Sequence, residues 1–159
     1  MGCGCRGREL GRSLRADGHA VRGTTRDPGA CGALEADGIE PWVGDPDRLG
    51  TLTPALESVT VACWLLGGAE GRPDALAALH GPRLRAFCET VVDTTVRGLV
   101  YEAAGTVPDA LLAGGAEIAR EAARTWQIPV RILDVDPADR SRWLGAAEGA
   151  VRELLDAPR

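Results

Sequence analysis

Residues 2–26 read GCGCRGRELGRSLRADGHAVRGTTR, and this stretch decides the fold. Gly2, Gly4 and Gly7 spell G-x-G-x-x-G, the spacing that lets a backbone turn approach a dinucleotide pyrophosphate at the positive end of a helix. Gly7, Leu10, Gly11 and Leu14 then recur at i, i+3, i+4 and i+7, one face of a helix whose small residues permit close approach to a sheet. Gly18 follows as a C′ residue tolerant of left-handed backbone. Residues 20–25 read as a strand. The turn normally leaves a first strand, and here only Met1 precedes Gly2.

Working outward, strand-like and helical runs alternate, which favours parallel βαβ units. Strands are expected at 20–25, at 39–43 (with Pro41 placing it at an edge), at 59–66, at 98–102 and at 128–133. Thr53-Pro54 reads as an N-cap with proline at N1, opening a short helix through Leu56. A helix is expected over 73–89 with a break at Gly81-Pro82. Leu111, Gly115, Ile118, Ala119, Ala122 and Trp126 mark one face of another. Asp136-Pro137 is expected to cap a closing helix with Trp143, Ala147, Val151 and Leu154 inward. The fold class that follows is α/β, a three-layer doubly wound parallel sheet of the Rossmann type with its N-terminal strand missing, as one domain over 1–159. In the order 3-2-1-4-5-6 the missing strand is central, so its loss leaves a gap of about 9.6 Å between the second and fourth strands. The natural reading frame is therefore expected to begin upstream of Met1, or the product to be truncated.

Composition narrows the chemistry. The 159 residues carry a formal charge of −5, which argues against broad nucleic-acid or anionic-membrane binding. No apolar run approaches the roughly 20 residues needed to span a bilayer, and no signal peptide is visible, so a cytoplasmic protein is expected. All 18 basic residues are arginine, and asparagine is absent as well; a GC-rich bacterial genome accounts for both. Without lysine there is no Schiff base, no P-loop lysine and no Tyr-x-x-x-Lys pair. The five cysteines form neither a disulfide framework nor a C-x-x-C zinc pattern, and read as structural. Asp134, Asp136 and Asp139 read as caps and solubilising charges before they read as a metal site, and no metal is expected.

The backbone amides of Gly4, Cys5, Arg6 and Gly7 are the expected pyrophosphate contacts. In sites that prefer NAD an acidic residue about 20 positions past the glycines holds the ribose 2′-hydroxyl, and an arginine there accommodates a 2′-phosphate instead. Arg26 occupies that region, with Thr24 and Thr25 as added hydroxyl donors, so NADP is favoured. Asp27, one position on, keeps NAD open.

The same 2–26 segment resembles the extended and atypical short-chain dehydrogenase/reductases, the group that includes NAD-dependent epimerases and dehydratases. They often carry G-x-G-x-x-G-x-x-L and then G-H-x-V-x-G-x-x-R on the second strand. The resemblance is close over this segment and follows element order beyond it. It implies a Rossmann sheet that binds NAD(P). It also implies that Asp45 of G-D-P-D contacts adenine and that Leu65, Leu66 and Gly67, closing the fourth strand, line the cofactor cleft.

The departures bear on activity. Active members use Tyr-x-x-x-Lys; the single tyrosine here is Tyr101, four residues before Gly105 and inside a strand. Ala103-Ala104 replaces the serine or threonine expected at that strand's end. The expected function is therefore NAD(P) binding without family-type catalysis. The alternative is an NADP-dependent oxidoreductase or epimerase acting on a small molecule, with Asp93 or Glu102 as unrecognised acid–base groups. A third reading is a degenerate chain that binds nothing. His19 reads as structural, His80 as an exposed loop residue and Trp64 as core. The expected partners are the dinucleotide, a small-molecule ligand and a second copy of the chain in a homodimer.

Overall fold

The computed structural model describes residues 4–157. Helix α1 (Cys5–Ala16) leads to strand β1 (Arg22–Thr25), short helix α2 (Cys31–Ala36) and strand β2 (Glu40–Val43). After β3 (Val61–Trp64) come α3 (Pro73–His80), α4 (Pro82–Val92), β4 (Gly98–Glu102), α5 (Asp109–Trp126), β5 (Val130–Leu133) and α6 (Arg140–Asp156). All strand pairing is parallel, but among the described residues it falls into two sheets, β1-β2 and β3-β4-β5. The split lies where the expected gap falls: β1 and β3 do not pair with each other. The α/β, doubly wound character of the chain follows from this order.

The layers follow from side-chain alternation along β3 and β4. Ala62, Trp64, Leu99 and Tyr101 point to one face, where they pack with Leu84, Phe87 and Cys88 of α4 and Ala116, Ala119 and Ala122 of α5. Val61, Cys63 and Val100 point to the other, against Leu10 and Leu14 of α1 and Trp143, Ala147, Val151 and Leu154 of α6. All five residues of β4 are buried, as a strand covered on both faces requires. The run 59–66 is continuously apolar, yet β3 spans only Val61–Trp64 and its burial alternates: Ala62 and Trp64 are buried on one face, while Val61 and Cys63 are only partly covered on the other.

Several local readings hold in detail. Gly18 takes φ +90° just past α1. The chain breaks between α3 and α4 at Gly81, with Pro82 opening α4 at N1. Trp64 is fully buried against Phe87, ring centroids 4.9 Å apart. Other readings are corrected. Asp139, not Asp136, caps α6, accepting from the Arg142 N–H at 3.1 Å; Asp136 instead closes the preceding turn on Ala138 N at 2.8 Å. The inward face of α5 keeps the expected Gly115, Ala119 and Ala122, with Ile118 and Trp126 partly buried against the same core, but it runs through Leu112 and Ala116 where Leu111 was expected. His80 is 2% exposed, not a loop residue: it ends α3 and its ring finds partners inside the core. Helix α2 has too few apolar residues to announce itself; only Leu34 is buried.

Gly115 of α5 is where the helix meets the core most closely: a Cβ there would lie 2.0 Å from the Tyr101 hydroxyl. Gly114, beside it, faces open space. Gly115→Ala should therefore cost about 1–3 kcal/mol through overpacking, whereas Gly114→Ala should be neutral or stabilise by up to about 1 kcal/mol through helix propensity. Urea unfolding midpoints of the two variants give the comparison.

Candidate functional site

The C-terminal ends of β1, β2 and β3 and the head of α1 enclose a cleft of about 360 Å³, within the range of small-molecule and cofactor sites. Six of the residues expected from the sequence line it together: Gly4, Thr24, Thr25, Arg26, Asp45 and Leu66. Leu76 and Leu79 of α3 supply an apolar wall. They come together because parallel strands end on the same side of a sheet, and ligands gather at that edge.

Gly4 is the N-cap of α1, with no side-chain cap and no acidic residue in the first turn. The positive end of the helix is thus left to whatever stands in front of it. A Cβ on Gly4 would meet nothing within 4 Å, so the backbone here is approachable. Cys5 is exposed on the first turn. Gly2 lies outside the described residues. Gly7 and Leu65 do not face this cleft; they line a second cavity on the other side of the α1 head.

At the rim, Arg26 is exposed and among the described residues makes no ion pair or hydrogen bond. Asp27 is spent locally: its Oδ1 accepts from the Gly29 N–H at 2.8 Å and caps the turn Pro28–Ala30. Asp27 does not line the cleft. The acids on the opposite wall are partly matched. Asp47 pairs with Arg83 at 3.3 Å, and Asp45 lies 4.0 Å from Arg48 while accepting from Asp47 N at 3.0 Å. Glu70 stands exposed at the same wall.

Beneath the cleft lies a buried polar hub that sequence reading misassigns. Glu102 is 0% exposed. Its Oε1 accepts from Arg6 Nη2 at 3.1 Å and Trp143 Nε1 at 3.0 Å, and its Oε2 from the Gly67 N–H at 2.8 Å. The Arg6 guanidinium also lies 5.6 Å over the Trp143 ring. Arg6 and Gly67 therefore face inward, below the cleft, and Glu102 is held by three donors instead of standing ready to move a proton. Asp93 follows α4, before β4 begins, and is exposed, so the two acids sit at opposite ends of that strand. No signal in the sequence marks Glu102 as the meeting point of three distant elements.

A second buried network holds the single tyrosine. His80 Nε2 faces the Leu66 carbonyl at 3.1 Å, which can only accept, so this nitrogen carries the proton and Nδ1 accepts from the Tyr101 hydroxyl at 2.8 Å. The Leu112 carbonyl stands 3.3 Å from the same hydroxyl. Burial, with the Glu102 charge adding to it, holds the Tyr101 phenol well above its ordinary pKa. Burial also lowers the His80 pKa, against the Leu66 hydrogen bond. Cys88 is buried and its thiol is pushed up to about 12, in keeping with a structural cysteine. Among the described residues no cluster of metal-ligating side chains occurs, and no helix is long and apolar enough to cross a membrane.

No family model matches the sequence, and no curated protein matches it. Solved structures do match. A short-chain dehydrogenase/reductase superfamily protein from Agrobacterium tumefaciens with bound NAD superposes at TM-score 0.67, with 20% identity, over 82% of this chain and 46% of that one. The Citrobacter sp. triphenylmethane reductase complexed with NADP(H) gives 0.63 at 20% identity over 83% of this chain and 46% of that one. A dTDP-glucose 4,6-dehydratase double mutant from Streptomyces venezuelae, with NAD and DAU bound, gives 0.62 at 20% identity over 82% and 52%. The chain thus has the Rossmann-like fold of these proteins and spans about half their length.

Removing the hub should be costly. Glu102→Ala leaves Arg6 and the buried indole N–H of Trp143 without their acceptor and should destabilise by about 3 kcal/mol, read from urea midpoints. Acid should also weaken the fold through His80. The unfolded imidazole takes up a proton near pH 6.5, whereas the folded one does so only at lower pH. The unfolded state therefore binds more protons in that window. Stability present above pH 6.5 is lost as pH falls below it, and His80→Gln should show a smaller drop in urea midpoint between pH 7.5 and 5.5 than the parent.

Proposed function

We propose that the chain binds a nicotinamide dinucleotide in this cleft, with NADP preferred, as an atypical short-chain dehydrogenase/reductase-type protein without that family's catalysis. The observation that carries the reading is the convergence of Gly4, Thr24, Thr25, Arg26, Asp45 and Leu66 on one cavity at the uncapped head of α1. The first-turn amides of Cys5, Arg6 and Gly7 would hold the diphosphate, since they are the orphan donors of the helix. Arg26 would recognise the 2′-phosphate, for it stands at the rim among the described residues with no carboxylate partner, while Asp27 is committed to its own turn. The fold likeness supports the reading at the level of architecture, where two of the matching structures hold NAD and one NADP(H).

The acid–base groups give no support to the oxidoreductase or epimerase alternative. Tyr101 points into the core at His80, and Glu102 is occupied by three donors. Neither lines the cleft.

Isothermal calorimetry with NADPH and NADH tests the proposal. NADPH should bind more tightly, and Arg26→Ala should weaken NADPH about 10- to 100-fold, the worth of a charge-assisted hydrogen bond, while leaving NADH within about twofold. Equal affinities for both cofactors in the parent would remove the NADP preference, and no affinity for either would sink the proposal. Incubation with NADPH and a panel of carbonyl compounds should give no oxidation above buffer.

A further inference from the structure

The cleft reaches only one half of the fold. A doubly wound domain binds a dinucleotide across two mononucleotide-binding halves, which meet where the strand order reverses. Every described residue lining the cleft belongs to the α1 head, to the residues that close and follow β1 and β2, or to the segment from Leu66 to Leu79. None comes from β4, β5, α5, α6 or residues 103–108. Its volume of about 360 Å³ lies at the lower end of the range for ligand sites.

Backbone groups close the way into the other half. Gly67 O accepts from Val107 N at 3.0 Å, and the Gly67 N–H donates to Glu102 Oε2 at 2.8 Å. A Cβ on Gly105 would lie 2.0 Å from Gly67 O, so the loops after β3 and β4 cross with no groove between them. The Arg6 side chain runs along this crossing. A Cβ on Gly68 would lie 2.9 Å from Arg6 Nη2, and the same nitrogen donates to Glu102 Oε1 at 3.1 Å. Its guanidinium lies 5.6 Å over the Trp143 ring of α6. The space that a second ribose and its base need beside β4 is thus taken up by the chain's own groups.

From this geometry, and resting on the dinucleotide reading, we infer that the site holds the 2′-phosphoadenosine diphosphate portion alone and leaves the nicotinamide riboside outside. The diphosphate lies at the head of α1 and the 2′-phosphate at Arg26, with the adenosine between them against Leu66, Leu76 and Leu79. The ligand class is therefore a 2′-phosphoadenosine 5′-diphosphate, whatever its terminal phosphate carries. Such a site does not tell NADPH from NADP, because the two differ only in the ring it leaves untouched. The chain then responds to the sum of the two forms and not to their ratio.

Isothermal calorimetry on the whole chain compares NADPH, NADP and 2′-phospho-ADP-ribose, which is NADP without its nicotinamide. The three affinities are expected to agree within about fivefold. Saturation-transfer difference spectra of bound NADPH should show its adenine protons and none from the nicotinamide ring. Reduced nicotinamide mononucleotide should leave the NADPH isotherm unchanged. Three results would overturn the inference while leaving the dinucleotide reading in place: NADPH binding tighter than 2′-phospho-ADP-ribose by more than that margin, transfer to the nicotinamide protons, or competition by the mononucleotide. Binding of none of the three ligands overturns both.

Discussion

One buried carboxylate holds the site together. Glu102 ends the central strand of the larger sheet, and its three acceptor contacts reach α1 through Arg6, α6 through Trp143, and the loop after β3 through Gly67. Burying a charge costs several kcal/mol unless it is paired and hydrogen-bonded, and here three donors, one of them a guanidinium, meet the two oxygens. The return is positional: the head of α1, which opens the cleft, cannot shift without breaking contacts to two other elements. The loop above is equally fixed. A Cβ on Gly67 would meet Ala104 O at 2.2 Å, and one on Gly105 would meet Gly67 O at 2.0 Å, so the β3 and β4 loops cross at backbone contact.

Among the described residues the two half-sheets share no backbone ladder, and side chains join them. Polar contacts tie α1 and its C-cap to α6: Arg140 pairs with Glu9 at 2.8 Å, Arg152 with Asp17 at 2.6 Å, and the Ser13 hydroxyl donates to Glu148. Solvent-exposed ion pairs of this kind contribute little to stability. The packing of Leu10 and Leu14 against Val100, Trp143, Val151 and Leu154 contributes more, since fully burying a single leucine yields about 1.5–3 kcal/mol. Apolar burial thus does the joining, and the ion pairs set how the two helices register.

The helix after the glycines and the alternation of strands were legible because each depends on local pattern: 3.6-residue periodicity, a C′ glycine, a proline at N1. The cleft was legible for the same reason, as its residues sit at strand ends whose places follow from element order. What the sequence hid was long-range pairing. Glu102 looked like a candidate acid, and His80 looked exposed beside Gly81-Pro82, because nothing local reveals that Arg6 and Trp143 converge on one and Tyr101 and Leu66 on the other. Phase errors were small but instructive. Leu112 and Leu111 are equally apolar, and only Leu112 keeps the i, i+3, i+4, i+7 spacing with the buried Gly115, Ala116 and Ala119.

Charge within the cleft sets its selectivity on the proposed reading. Asp45, Asp47 and Glu70 line the cleft, and a dianionic 2′-phosphate would be repelled if their field dominated. Two features oppose that. Arg83 and Arg48 stand beside Asp47 and Asp45, which leaves exposed Glu70 screened mainly by solvent over about 8–10 Å at ordinary ionic strength. The helix head and Arg26 line the same cleft, and nothing among the described residues cancels the guanidinium. A contact at hydrogen-bond distance outweighs a screened charge across the cleft, because Coulomb energy falls with distance and with water between. The unmatched positive elements of the cleft are therefore the head of α1 and Arg26, and on the proposed reading a dinucleotide, whose charge is concentrated at its phosphates, lies with those phosphates toward them.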